Sequence, residues 1–209
     1  LNTLVIRIVN GYGVGPEADI AKTRRHFFED AASLRTQYNR CSYGKLNIQP
    51  FTGYTDTGIY VDRGVVNVRI GYNGNDQGTL QNQAVSQAYG QLGDLDSNKY
   101  DLIMFAFPPQ TQGWVAYAFG NSKYSFCNSK FCNFVSVQMH EVGHNLGLGH
   151  SGQAGEDMYS DQQGFMGLSY NMDDQRMCFN PAKSFQLEWY ADQIKSTNPL
   201  RRRNQSYKL

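Results

Sequence analysis

The sequence has no long apolar run and no excess of charge of either sign. It contains no stretch of about eighteen consecutive apolar residues, the length that a membrane-spanning helix needs, so we expect no membrane role. Lysine and arginine number 19 against 18 acidic residues, a balance that argues against a nucleic-acid partner. Charged residues make up only 18% of the chain and glycines number 21, which favours a loop-rich globular protein over a disordered chain or a coiled coil.

The chain also lacks an initiator methionine and a signal-peptide pattern, since it begins with Leu1. We therefore expect a processed form from which a leader and an inhibitory pro-segment are missing. Its 209 residues fit one domain that is large enough to bury a core. No repeat or low-complexity linker divides it.

Cysteine is scarce, and its spacing is uninformative about metals. Cys41, Cys127, Cys132 and Cys178 contain no C-x-x-C pair, which argues against a second zinc site or a thioredoxin-type motif. Four cysteines allow three disulfide pairings. We favour Cys127–Cys132, closing a small loop, with Cys41–Cys178 tying the ends of the fold together; free buried thiols are the alternative.

Hydrophobic patterning predicts a mixed set of strands and helices. The predicted strands cover residues 4–9, 46–51, one or two segments within 60–70, 100–107 and 113–120, and the predicted helices cover 17–40, 77–95, 133–147 and 181–198. In the last helix, Phe185 and Trp189 are expected to pack under the functional site.

Histidine is rare too, and three of the four histidines lie between residues 140 and 150. His140 and His144 project from the same face of a helix. Gly147 can end that helix, because glycine adopts the left-handed conformation of a C-terminal turn, and the chain can then return His150 as a third ligand. Three protein ligands leave a coordination position open, as in catalytic zinc sites. We expect His26 to be a structural or surface residue.

This stretch matches H-E-x-x-H-x-x-G-x-x-H, which is typical of metzincin metalloproteases. Residues 140–151 and 180–190, and less specifically 38–45, resemble the gametolysin family, so the resemblance runs from about residue 38 to 190. It implies a metzincin-like α/β (α+β) fold in one catalytic domain, residues 1–209. Residues 1–149 would form a subdomain with a mixed twisted sheet, long helices and the active-site helix, and residues 150–209 a smaller loop-rich subdomain with a terminal helix.

The resemblance also implies roles for individual residues. His140, His144 and His150 would hold one Zn²⁺, which the histidine at the first ligand position favours over copper. Met166, preferred over Met158 and Met172, would form the Met-turn beneath them. Related enzymes place a tyrosine two residues after that methionine; this chain has Leu168 there, and Tyr170 is the nearest candidate oxyanion donor.

A secreted metalloendopeptidase is the implied function. Glu141 would act as general base on a zinc-bound water, and the edge strand that includes Trp114, Val115, Ala116 and Tyr117 would pair with extended substrate, although an interior strand is the alternative. The expected partner is a protein or peptide substrate, such as a cell-wall or matrix glycoprotein, and we expect a monomer. The alternatives are a secreted binding module on a metzincin scaffold and a zinc amidase acting on a non-protein substrate.

A calcium ion is a further candidate cofactor. Acidic residues cluster after His150 at Glu156, Asp157, Asp161, Asp173 and Asp174. They form no ordered calcium-loop motif, so a solvated loop is the expectation.

Overall fold

A computed structural model of the chain describes residues 1–167 and 175–193. Its centre is a mixed six-stranded sheet, in which the outermost strand at one end is antiparallel to its neighbour. The strands of the whole structure are β1 (Asn2–Val9), β2 (Gln49–Pro50), β3 (Gly53–Tyr54), β4 (Tyr60–Val61), β5 (Val65–Arg69), β6 (Leu102–Phe107), β7 (Ala116–Ala118) and β8 (Tyr124–Asn128). β3 and β4 form a separate hairpin. The predicted mixed α/β fold class is confirmed.

The order of the strands follows from their burial. β1 and β6 are almost wholly buried, as expected for central parallel strands that are covered on both faces. β1 pairs with β6 on one side and with both β2 and β5 on the other. Beyond β6 the sheet continues with β8 and ends with β7. β7 is thus at the edge of the described sheet, where extended substrate was predicted to pair.

Helices cover both faces of the sheet. They are α1 (Ile20–Arg24), α2 (Leu34–Cys41), α3 (Gln77–Leu92), α4 (Val135–Asn145) and α5 (Pro181–Gln186), with a π-helical turn at Arg25–Glu29 and 3₁₀ turns at Ser129–Asn133 and Ala191–Gln193. α3 packs with Leu4, Ile6 and Ile8 in one apolar core. α2 and α4 pack with Val5 in the other core, because successive residues of a strand face opposite sides.

The predicted helix over residues 17–40 is interrupted. After the π-helical turn the backbone of Asp30 is extended, and α2 restarts at a capping box in which Ser33 and Thr36 satisfy each other's backbone N–H groups. A serine that binds the backbone in this way favours a helix start over a helix interior. The helical spacing of apolar residues thus continues through the interruption between Glu29 and Leu34, and for this reason one helix was predicted.

Two predicted strands are shorter than expected, and two strands, β3 and β8, were missed. Residues 46–51 contribute only Gln49–Pro50, since proline cannot donate to a ladder. Residues 113–120 contribute only Ala116–Ala118. β8 was missed because its polar residues and Cys127 resemble a loop, yet its pairing with β6 leaves four of its five residues buried.

The last helix is also shorter than predicted. Asn180 caps it and Pro181 occupies the first turn, as expected, but it ends at Gln186, and Glu188 has a φ of 57°. The turn removes Trp189 from the face that carries Phe185: Trp189 is 6% exposed, whereas Phe185 is 61% exposed. The prediction that Phe185 packs under the site is therefore wrong. The end of the predicted helix, residues 194–198, lies outside the described residues.

Two disulfides are present, and they have the pairing favoured from the sequence. Cys41 of α2 is bonded to Cys178, 137 residues further along the chain. Cys127 is bonded to Cys132 and closes the connection between β8 and α4. Among the described helices, none combines the length and the apolar character that crossing a bilayer requires.

Candidate metal centre

α4 carries the first two histidines of the motif, and its end brings in the third. Nine of its eleven residues are buried, so the helix is fixed between the sheet and α2. At Gly147 the backbone has a φ of 88°, the left-handed conformation that was expected there. The Leu148 N–H then donates to the Gly143 carbonyl at 3.0 Å. This turn directs the chain back, and His150 faces the helical pair.

The three histidines converge. One nitrogen from each of His140, His144 and His150 lies within 4.8 Å of the other two, and this is the one such group of His, Cys, Asp or Glu side chains in the described part of the chain. The Nε2 atoms of His140 and His144 are 3.1 Å apart. His26, as expected, is not a member of the group.

Backbone carbonyls set the tautomers of the two helical histidines. The Nδ1 of His140 lies 2.6 Å from the Phe165 carbonyl, and the Nδ1 of His144 lies 2.8 Å from the Leu148 carbonyl. A carbonyl oxygen only accepts, so each Nδ1 donates and each Nε2 presents a lone pair. Two lone pairs that face each other at 3.1 Å cannot hydrogen-bond, but they suit a shared cation. The donor set therefore fits Zn²⁺, which binds imidazole nitrogen in tetrahedral geometry.

Burial favours the neutral form of these imidazoles, which is the form that binds a metal. Desolvation, followed by the neighbouring imidazoles, lowers the pKa of His140 to about 4. The pKa of His144 and that of His150 are also lowered, in each case chiefly by burial.

Glu141 lies next to the first histidine and is 4% exposed. Its Oε2 is buried without a hydrogen-bond partner, and burial raises the pKa of the carboxyl group to about 8. An unpaired carboxylate in such a place is costly unless a cation or a water completes the site. The predicted role of Glu141 as a general base stays a prediction.

Met166 is fully buried beneath the helix. A Cβ atom at Gly143 would come 2.5 Å from the Met166 Sδ. Because Gly143 lacks a side chain, the thioether can approach the turn of α4 that carries His140 and His144. Met158 is 59% exposed and Met172 lies outside the described residues. Of the two described candidates Met166 is therefore the buried one, and its role as the Met-turn stays a prediction.

The backbone beside the edge strand β7 is hydrogen-bonded to α4. The side-chain amide of Asn145 donates to the backbone carbonyls of Phe119 and Tyr124, at 3.2 and 3.0 Å. Trp114, Val115, Ala116 and Tyr117 are half-buried. The hydroxyl of Tyr117 donates to Gln81 of α3 at 2.5 Å, so this side chain lies on the face of the sheet that α3 covers.

Other predicted ligands are not brought together. Glu156, Asp157 and Asp161 form no metal-binding group within residues 1–167 and 175–193, so nothing here supports calcium; Asp173 and Asp174 lie outside those ranges. Tyr170 also lies outside them. Instead Tyr159, which the sequence analysis did not select, packs against His150 with ring centroids 4.0 Å apart. No spacing rule pointed to it, because its position depends on the path of an irregular loop.

Three imidazoles and an adjacent buried glutamate on a mixed α/β fold define a site of the metallopeptidase class. A family model described as gametolysin peptidase M11 matches residues 3–204. The chain therefore belongs to the gametolysin peptidase family, a family of zinc metallopeptidases, which confirms the resemblance found in the sequence.

Comparison with individual proteins adds less. No curated protein matches the chain. Among solved structures, the archaemetzincin AmzA from Methanopyrus kandleri is 12% identical with a TM-score of 0.48, covering 91% of this chain and 97% of the archaemetzincin. A chain from a chaperone–substrate complex is 15% identical with a TM-score of 0.47, covering 85% of this chain and 30% of its own length.

Proposed function

We propose that the protein is a secreted zinc endopeptidase in which Glu141 is the general base. One observation carries the proposal: three imidazole nitrogens lie within 4.8 Å of one another, and the residue after the first of them is a buried glutamate with an unpaired oxygen. Such a combination has no evident role in stabilising the fold, because a buried unpaired carboxyl group is destabilising.

When zinc is bound at His140, His144 and His150, it lowers the pKa of water and polarises a carbonyl group. Burial alone raises the pKa of Glu141, but a cation beside it favours the ionised carboxylate. The carboxylate then accepts a proton as water adds to the peptide carbonyl carbon, and it delivers that proton to the leaving nitrogen as the C–N bond breaks. The carbonyls of Phe165 and Leu148 hold two imidazoles in the tautomer that leaves Nε2 free for the metal.

β7 supports the choice of a peptide substrate. An extended peptide can add to an exposed sheet edge through main-chain hydrogen bonds, which depend little on the substrate's sequence. The hydrogen bonds of Asn145 to the backbone beside this strand hold the edge close to α4. We therefore propose Trp114, Val115, Ala116 and Tyr117 as the substrate-binding segment, and a monomeric enzyme that needs no partner for this site.

An extracellular location is supported by the two disulfides, since such bonds persist mainly in oxidising compartments. Extracellular or cell-wall proteins are accordingly the proposed substrates. A zinc amidase or a binding module remains the alternative; a binding module would have no use for the proton-accepting group that Glu141 provides.

The test compares the wild type with Glu141→Gln, which keeps the size of the side chain and removes its ability to take a proton. We expect one zinc per chain in both proteins and cleavage of casein or gelatin by the wild type alone, abolished by a chelator. Glu156→Gln, an exposed acid nearby, is the matched control and should cleave normally. Zinc in both proteins without cleavage by either would contradict the endopeptidase, and absence of zinc from the wild type would contradict the site.

A further inference from the structure

The three candidate ligands are not supported in the same way. His140 and His144 lie on a buried helix and each donates from Nδ1 to a backbone carbonyl. His150 lies after the helix, and its Nδ1 faces the Met158 sulfur at 3.2 Å. A thioether is a weak acceptor, and Met158 is 59% exposed. This contact fixes an imidazole far less firmly than a carbonyl does.

An aromatic ring covers His150 instead. The ring centroids of Tyr159 and His150 are 4.0 Å apart, with 40° between the ring planes, and the Tyr159 ring is 6.2 Å from that of His140. Tyr159 is a half-buried side chain beside the histidines, although the loop around it is mostly exposed.

Hydrogen bonds within the loop over residues 151–161 place Tyr159 beside His150. Asp161 N–H donates to the Ser151 carbonyl at 3.2 Å, which closes the loop at its base. Inside it, Asp157 Oδ1 accepts from the Tyr159 N–H at 2.8 Å, and Ser160 Oγ accepts from the Gln153 N–H at 2.7 Å.

Gly152 allows the two sides of this loop to meet. A Cβ atom there would lie 2.5 Å from the Asp157 carbonyl oxygen and 2.9 Å from the Met158 Cα. Both are backbone atoms, so a larger residue would have to move the segment that leads into Tyr159.

We propose that Tyr159 is the positioning residue for the third ligand: its ring, returned by the loop over residues 151–161, holds His150 in the metal-binding orientation. The inference rests on the proposed zinc site. The aromatic face restricts rotation of the imidazole, which the weak contact with Met158 does not. The role belongs to the ring and not to the hydroxyl.

The experiment measures zinc affinity by competition with a chromophoric chelator. Tyr159→Ala should weaken zinc binding about tenfold or more, the usual effect of losing a group that orients a ligand. Tyr159→Phe keeps the ring and should bind zinc as the wild type does. Tyr12→Ala, at a tyrosine that is 78% exposed and makes no contact with the site, is the control. The visible spectrum of the Co²⁺ form reports the coordination geometry, and it should change in Tyr159→Ala but not in Tyr159→Phe or Tyr12→Ala.

Gly152→Ala provides a second route to the same result if Tyr159→Ala does not fold. It retains the ring but displaces the loop, and it should weaken zinc binding in the same direction. In the double variant the two losses should not add, because both act through one contact.

Two results would overturn the inference. Wild-type zinc affinity in both Tyr159→Ala and Gly152→Ala would show that His150 needs no such support, and equal losses in Tyr159→Phe and Tyr159→Ala would assign the role to the hydroxyl. Either result leaves the proposed function intact provided that the wild type binds zinc and cleaves protein. A wild type without zinc would instead contradict the proposed function itself.

Discussion

The chain up to the end of α4 and the chain from His150 onward are organised by different forces. In the first part, apolar strands and helices bury most of their side chains, and α4 has nine buried residues out of eleven. In the second part the loop over residues 152–158 is wholly exposed. There, individual hydrogen bonds, closely approached glycines and a disulfide supplement a few buried apolar side chains, Phe165, Met166, Phe179 and Trp189, which join the core of the first part. The candidate metal centre takes two ligands from the first kind of structure and one from the second.

α2 connects the two parts. The Tyr38 hydroxyl donates to the Met139 carbonyl of α4 at 2.9 Å, while its ring packs against Phe179 and Trp189. The side-chain amide of Gln37 donates to the Gln175 carbonyl at 3.2 Å, and Cys41 bonds to Cys178. One short helix therefore contacts both α4 and the segment over residues 175–189.

The largest effect is expected from removing a candidate ligand that lies on α4. His144→Ala removes one of two facing Nε2 atoms and should abolish stoichiometric zinc and all peptidase activity, because two imidazoles and water hold zinc poorly. Metal analysis and a gelatin assay test this. His26→Ala, at the one histidine outside the group, is the matched control and should retain its zinc. Full zinc occupancy in His144→Ala would remove this residue from the site.

The second prediction compares the two disulfides. In the chain-entropy account, a bond that closes 137 residues stabilises by about 5 kcal/mol and one that closes 5 residues by about 2 kcal/mol. Cys41→Ser with Cys178→Ser should therefore lower the free energy of unfolding by more than Cys127→Ser with Cys132→Ser. Urea denaturation of the two double variants measures the difference. Equal losses, or a larger loss from the short loop, would show that the long bond does not hold the second part to α2.

These two parts also differ in how far the sequence predicts them. The central strands and α4 were predicted because period-2 and period-3.6 patterns directly reflect burial. The convergence of the three histidines was predicted from spacing alone, since a helix and one glycine turn determine where His150 returns. Local capping defeated the same reasoning at Ser33, where a polar side chain interrupts a helix whose apolar pattern continues.

The second part was predicted less well because its contacts depend on irregular backbone. Met166 was selected from a family resemblance, but nothing in the sequence indicated that Gly143 would lie against its sulfur. Phe185 and Trp189 have helical spacing, yet the positive φ of Glu188 separates them. Tyr159 reaches His150 only because the loop closes on itself. Each of these outcomes depends on the path of irregular backbone, which periodicity does not encode.

The third prediction concerns the contact between Gly143 of the first part and Met166 of the second. Gly143→Ala would place a Cβ atom 2.5 Å from the Met166 Sδ and 3.2 Å from Phe179. Overpacking of this kind costs about 1–3 kcal/mol, partly offset by about 1 kcal/mol from the better helix propensity of alanine. We expect a net loss of about 1 kcal/mol in thermal or urea unfolding. Met166→Ala should be less harmful in the Gly143→Ala background than alone; a stabilised Gly143→Ala protein would contradict the close approach.

The smallest effect is expected at the hydrogen bond from Tyr38 of α2 to Met139 of α4, which we call the brace. Tyr38→Phe leaves the ring contacts with Phe179 and Trp189 in place and removes only the hydroxyl that donates to Met139. A buried neutral hydrogen bond contributes about 1 kcal/mol, so the free energy of unfolding should fall by about that amount. Tyr12→Phe, at a residue that is 78% exposed, should change nothing and serves as the control. Zinc affinity separates two roles for the brace: if it also falls in Tyr38→Phe, α2 positions the ligands of the metal helix, and if only stability falls, α2 supports the helix without tuning the site.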